Sequence, residues 1–190
     1  MKVRKKILLA IVSACLTVAA FPTTSFAVSY TATRYDCSGG VCVKKTTTAP
    51  SPSSNGVNYT PVSASAQEKA LLQMVNAERT RYGLKPYTLN ASLSGVARVK
   101  STDMINNRYF AHQSPRLGSV RDMLSAAKIS YRGANENIAR YGSLQKAFAG
   151  LMSSPGHRNN LLSKVYTQIG LAVVQDASGV FYITQIFISN

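Results

Sequence analysis

The sequence predicts a layered α+β domain of about 125 residues, spanning 66–190, which is long enough for a true core. Three observations support this. Apolar residues recur at helical spacing from 66 to about 152. Two stretches rich in β-branched and aromatic residues, 165–175 and 180–189, flank Asp176-Ala-Ser-Gly, a good hairpin turn. The composition before residue 65 is rich in Ser, Thr, Pro and Asn, and such a stretch buries little apolar surface.

The first helix is expected over 66–82. Leu71, Leu72, Val75, Arg79 and Tyr82 fall at helical spacing, Ser65 and Glu68 make a capping box, and Gly83 stops it. Asn76 is expected to fix a loop through its amide. Glu78 and Arg79 are expected to pair with neighbours or lay their stems over the core. A second helix is capped by Asn90, with Leu93, Val96, Ala97 and Met104 inward, and it frays at Asn106-Asn107. The segment RYFAHQSP (108–115) is irregular, because Pro115 keeps Ser114 out of helical conformation. Ser119 and Asp122 mark a short third helix to about Lys128. Residues 129–141 read as a loop with at most a short strand. Ser143 opens a fourth helix with Leu144, Phe148, Leu151 and Met152 inward. Pro155 suits a first helical turn, so Ser154 is expected to cap a further short helix carrying His157. Arg158 is expected to hold a carboxylate or a helix-end carbonyl. The last strand is apolar on both faces through Ile186-Phe187-Ile188, which predicts a central position.

Residues 1–27 read as a secretory signal peptide: a basic start, an apolar stretch too short to span a bilayer, and Ser25-Phe26-Ala27 as cleavage site. Val12-Ser-Ala-Cys15 resembles a lipidation box, but Leu16 to Phe21 stays apolar beyond it. Residues 28–65 read as an extended or disordered linker. Within it, Cys37 and Cys42 are candidates for a small disulfide loop that Gly39-Gly40 would let close. Two thiols are too few for a closed zinc site, and their spacing is not that of a redox pair. Removing Lys2, Arg4, Lys5 and Lys6 lowers the +15 formal charge by four, to +11. That balance favours polyanions, such as an anionic cell-wall polymer or lipid headgroups, although a basic, solvated surface has the same composition. Export and the lack of any recognition motif exclude nucleic acid. No transmembrane helix is expected after signal cleavage, and the mature protein is expected to be monomeric.

The chain has two histidines, His112 and His157, each near a Ser-Pro pair, and Glu136 is the only acidic residue between 123 and 175. These three are expected to converge on one cleft. Two imidazoles and a carboxylate can ligate a divalent metal such as zinc, or a His–Glu pair can do acid–base work. The nearby serines, Ser114 and Ser154, lack a nucleophile-elbow context. Each residue could equally satisfy local backbone groups in its loop.

The motifs LLQMVNAERTRYGLKP, FAHQSP, NENIA, SPGHRNNLL, YTQIGLAV and YITQIF occur in that order. Through them the chain, from about Ala66 to Asn190, resembles the CAP superfamily, or SCP-domain proteins: cysteine-rich secretory proteins, antigen 5 and pathogenesis-related proteins. It is most similar to the short bacterial secreted branch. The resemblance implies an α-β-α sandwich with a central antiparallel sheet between helical layers. It also implies a cleft lined by two His and two acidic residues that holds a divalent metal in some relatives. His112, Glu136 and His157 match three of those positions, and Ser154 stands where the second carboxylate would be. The reading that follows is a secreted or envelope-associated binding module. The alternatives are a metal-assisted hydrolase of peptide or wall material, and a carrier of lipid or a small apolar ligand.

Overall fold

Four of the five helices start where a side chain takes an orphan backbone N–H. In the computed structural model, which describes residues 29–36, 43–50 and 56–190 and the side chains of 56–190, helix α1 (Ala66–Arg81) follows two strands, β1 (Ser29–Asp36) and β2 (Val43–Pro50). Ser65 and Glu68 form the expected capping box on α1, and Gly83 leaves it at φ +67°. Strand β3 (Thr88–Leu89) precedes α2 (Ala91–Asn106), where Asn90 Oδ1 accepts from Leu93 N at 3.0 Å. Ser119 and Asp122 box the start of α3 (Val120–Ala126). Strand β4 (Gly133–Tyr141), helix α4 (Leu144–Ser153), helix α5 (Pro155–Leu161) and strands β5 (Gln168–Gln175) and β6 (Phe181–Ser189) complete the order. Pro155 opens α5 as expected, but Ser154 gives it no side-chain cap bond.

The main sheet runs β3-β5-β6-β4, with β6 paired to both long neighbours. Its all-apolar stretch therefore sits in the middle. Side chains on successive residues of a strand face opposite sides, so each strand feeds two cores. Ile169, Leu171, Ile183, Phe187 and Ala139 meet Leu71 and Val75 of α1 together with Leu144, Ala147 and Leu151 of α4 and Leu161 of α5. Ala172, Ile186 and Ile188 meet Leu93, Val96 and Ala97 of α2 and Met123 and Leu124 of α3. The result is a sheet between two helical layers.

Polar clamps join the layers at the ends. Glu68 is buried at 1 % exposure. Arg98 Nη2 of α2 donates to both its oxygens at 3.0 and 2.9 Å, and Val173 N of β5 donates at 3.3 Å. On α1, Asn76 exchanges hydrogen bonds with the backbone of Tyr87 (3.1 and 2.8 Å), which is the loop-fixing role expected of it.

The structure departs from the sequence reading in four places. Residues 133–141 are a nine-residue strand, because β6 offers a full apolar partner and overrides the weak strand propensity of Gly, Asn and Asn. The sheet is not wholly antiparallel: the two residues of β3 run parallel to β5. Within the span read as linker, β1 and β2 pair antiparallel from Ser29 with Pro50 to Asp36 with Val43, as the Thr-rich strands allow. Among the described residues Arg158 bonds neither a carboxylate nor a carbonyl; its Nη2 donates to the Tyr82 hydroxyl at 2.5 Å. The leader 1–27, Cys15, Cys37 and Cys42 lie outside the described residues.

Helix α2 lies so close to β5 that a Cβ on Gly170 would stand 2.3 Å from Leu93 Cβ and 2.4 Å from its backbone carbon. Backbone cannot yield as a side-chain tip can. Gly170→Ala should therefore displace α2 and cost ~1–3 kcal/mol, the usual range for overpacking, measured by urea unfolding.

Candidate functional site

Strand β4 is the edge of the sheet, and its pleat splits two adjacent residues between the two helical layers. Glu136 turns toward the α2–α3 side and Asn137 toward α5. Asn137 Nδ2 donates to the His157 carbonyl (3.1 Å) and to Gln185 Oε1 (3.1 Å), while its Oδ1 accepts from Asn160 Nδ2 at 2.8 Å. One fully buried amide thus pins the short helix that carries His157.

Glu136 meets His112. Its Oε1 lies 2.7 Å from His112 Nδ1, with the carboxylate 3 % exposed and the imidazole 59 % exposed. Glu136 Oε2 is sealed and has no hydrogen-bond partner. His157 lines the same cleft, of about 660 Å³, along with the carboxamides Gln113, Asn135, Asn159 and Asn160. The three residues singled out from the sequence do share one cleft. Ser154 does not line it; its backbone carbonyl accepts from Arg158 N at 2.8 Å within α5. Burial, and next His112 nearby, hold the His157 imidazole below its ordinary range.

What places His112 is a pair of buried polar residues on α2 that the sequence reading passed over. Lys100 is fully buried, and its Nζ donates to the carbonyls of Ala111 (2.7 Å) and His112 (2.8 Å). Burial pushes its pKa down, and the nearby Glu136 and Asp103 carboxylates oppose that. Asp103 accepts from Tyr109 Oη (2.5 Å) and Ser114 Oγ (2.7 Å) and pairs with Arg116 Nε at 3.2 Å. Ser114 Oγ in turn accepts from Leu117 N at 2.9 Å. Burial, and then the bond to Asp103, raise the pKa of Tyr109, so its hydroxyl stays a donor. The signal was present: position 100 falls on the inward stripe of Leu93, Val96, Ala97 and Met104, where a lysine has no business unless it is hydrogen-bonded.

The chemistry open to the cleft follows from these bonds. Ser114 is 1 % exposed and engaged on both sides, so it is no nucleophile. Among the described residues, no three His, Cys, Asp or Glu side chains are grouped to hold a metal ion. His112 Nδ1 and Glu136 Oε1 are spent on each other, and the second carboxylate position is Ser154. The Glu136 bond takes His112 Nδ1 alone; its Nε2 has no hydrogen-bond partner among the described residues, and a carboxylate on one ring nitrogen is the usual support for a histidine that ligates through the other.

A family model described as the cysteine-rich secretory protein family (CAP) matches residues 72–187. The chain is 42 % identical over 125 residues to the uncharacterized protein YkwD of Bacillus subtilis, covering 65 % of this chain and 49 % of that protein. It therefore spans about half the length of that relative. Among solved structures, it is similar to an extracellular protein containing an SCP domain from Bacillus anthracis, at TM-score 0.60 and 34 % identity, covering 65 % of this chain and 40 % of the other. An outer surface protein of Borrelia burgdorferi shares the fold at TM-score 0.63 and 16 % identity, over 70 % of this chain and 99 % of the other.

Two outcomes test this site. Lys100→Met removes a buried charge and leaves the Ala111 and His112 carbonyls without their donor. The unpaired carbonyls should lower global stability by ~1–3 kcal/mol, while amide exchange at residues 111–114 accelerates beyond that global change. Unchanged exchange there would refute the clamp. The His157 imidazole, with its folded pKa lowered from 6.5, binds fewer protons folded than unfolded near that pH. Stability should therefore fall as pH drops below about 6.5, levelling off below the folded value. In an NMR titration, His112→Ala should raise the His157 pKa part of the way back.

Proposed function

The chain belongs to the cysteine-rich secretory protein (CAP) family, and we propose that it acts outside the cell, at the envelope, as a binding module rather than as a hydrolase. The observation that carries this is the cleft itself. It joins a His112–Glu136 pair, His157 and four carboxamides, and among the described residues no three His, Cys, Asp or Glu side chains are grouped to hold a metal ion. Such a lining offers neutral hydrogen-bond donors and acceptors in number, which suits a polar ligand such as a sugar or a peptide backbone.

Location rests on three supports. The leader-like start of the sequence suits export, the similar Bacillus anthracis protein is described as extracellular, and the +11 formal charge left after leader removal favours anionic wall polymers or lipid headgroups. No helix among the described residues is long and apolar enough to cross a membrane.

Retention on isolated bacterial walls tests the reading. The protein should bind at low salt and release as salt rises, since screening shortens from ~10 Å at 0.1 M to ~3 Å at 1 M. Glu136→Gln together with His112→Ala should weaken the salt-resistant part. Indifference to walls at low salt would sink the proposal. Release of soluble wall fragments by the wild type, or stoichiometric zinc binding lost in His112→Ala, would favour the hydrolase instead.

A further inference from the structure

A second pocket, of about 430 Å³, opens between the end of α1, the segment 83–88 and residues 164–167, away from the residues of the His–Glu cleft. Its lining includes Arg79, Lys85 and Lys164, and no Asp or Glu. Arg79 is only 3 % exposed. Its Nε donates to the Lys85 carbonyl (2.8 Å), and its Nη1 donates to those of Leu161 (2.8 Å) and Ser163 (2.9 Å). Among the described residues, Nη2 has no hydrogen-bond partner, and no carboxylate pairs with the guanidinium. The sealed, unpartnered side-chain atoms do not include Nη2, so it keeps an open edge where Arg79 lines the pocket.

The guanidinium rests 3.5 Å from the centroid of the Tyr87 ring. Burial pushes the Tyr87 pKa up to about 12, so that phenol is neutral and supplies no counter-charge. Three carbonyls, two of them at and just beyond the end of α5, spread the charge without neutralising it. A buried cation in that state is costly. Two exposed lysines beside it raise the local positive potential further.

We propose that this pocket binds the phosphate group of a small organic phosphate ester, with Arg79, Lys85 and Lys164 as its cation set. A phosphate suits three cations lining one pocket better than a single carboxylate does, and an arginine edge is well matched to its oxygens. The pocket is much larger than a bare ion, and Leu84, Pro86 and Tyr166 line the rest of it, where the organic body of the ester packs. The site does not depend on the reading of the His–Glu cleft, and either can fail without the other.

The test titrates the full chain with glycerol 3-phosphate, with inorganic phosphate and with acetate at matched ionic strength, followed by amide NMR. Glycerol 3-phosphate should bind saturably and most tightly, with shifts confined to 83–88, 164–167 and the end of α1. Lys85→Ala with Lys164→Ala should weaken it about 5- to 10-fold, as for the loss of two partly exposed ion pairs. Arg121→Ala with Lys146→Ala, which removes equal charge elsewhere, should not. Shifts scattered over the basic surface, equal weakening by both double variants, or a response to acetate as strong as to the ester would overturn the site. Inorganic phosphate binding as tightly as the ester would overturn the role given to the organic body.

Discussion

The cleft depends on two charged groups buried one helical turn apart. Lys100 and Asp103 are both buried on α2, where charged side chains are rare unless paired. Together they hold the irregular stretch from Tyr109 to Arg116: the lysine takes two consecutive carbonyls, and the aspartate takes a phenol, a serine and an arginine. A loop with few apolar contacts cannot be fixed by packing. It is fixed by hydrogen bonds whose partners are already rigid, and a helix seated on a sheet is about as rigid as this fold provides. Buried ions add little to stability and sometimes subtract from it. Here they serve position, since His112 reaches Glu136 only when its backbone is held.

The edge strand solves a second problem of placement. A catalytic or binding group on a loop needs a firm opposite wall, and β4 supplies it on both sides at once. Glu136 and Asn137 are neighbours in sequence and face opposite layers. One receives the imidazole from the α2 side; the other anchors α5 from the far side through a carbonyl and an amide. The convergence of loops more than twenty residues apart is thus a consequence of the strand's two-residue period.

Much of this was legible in the sequence. The caps at Ser65, Asn90, Ser119 and Ser143 were local signals with a direct backbone meaning, and each stands where it was expected. The central place of β6 followed from a run apolar on both faces. The grouping of His112, Glu136 and His157 followed from their scarcity, and the ordered motifs pointed to the family and its three-layer fold. What escaped was non-local. Strand β4 has poor propensity and exists because β6 is beside it. Lys100 and Asp103 were passed over, because only the structure shows the loop carbonyls and hydroxyls that make their burial tolerable. Arg79 was expected to pair with a neighbour or lie over the core; it does lie over the core ring of Tyr87, and it also holds three carbonyls from two other segments.

Both borders of the main sheet are poor templates for a foreign strand. One is only two residues long, and the other reads Gly-Ala-Asn-Glu-Asn along its first half, with a carboxylate and amides where an aggregation-prone border would carry valine or isoleucine. The polar residues that build the cleft therefore also guard a protein of strongly apolar sheet interior against stacking with its own copies. Any redesign that traded Asn135, Glu136 and Asn137 for hydrophobic residues to reshape the ligand would remove that guard as well, and fibre formation would compete with binding.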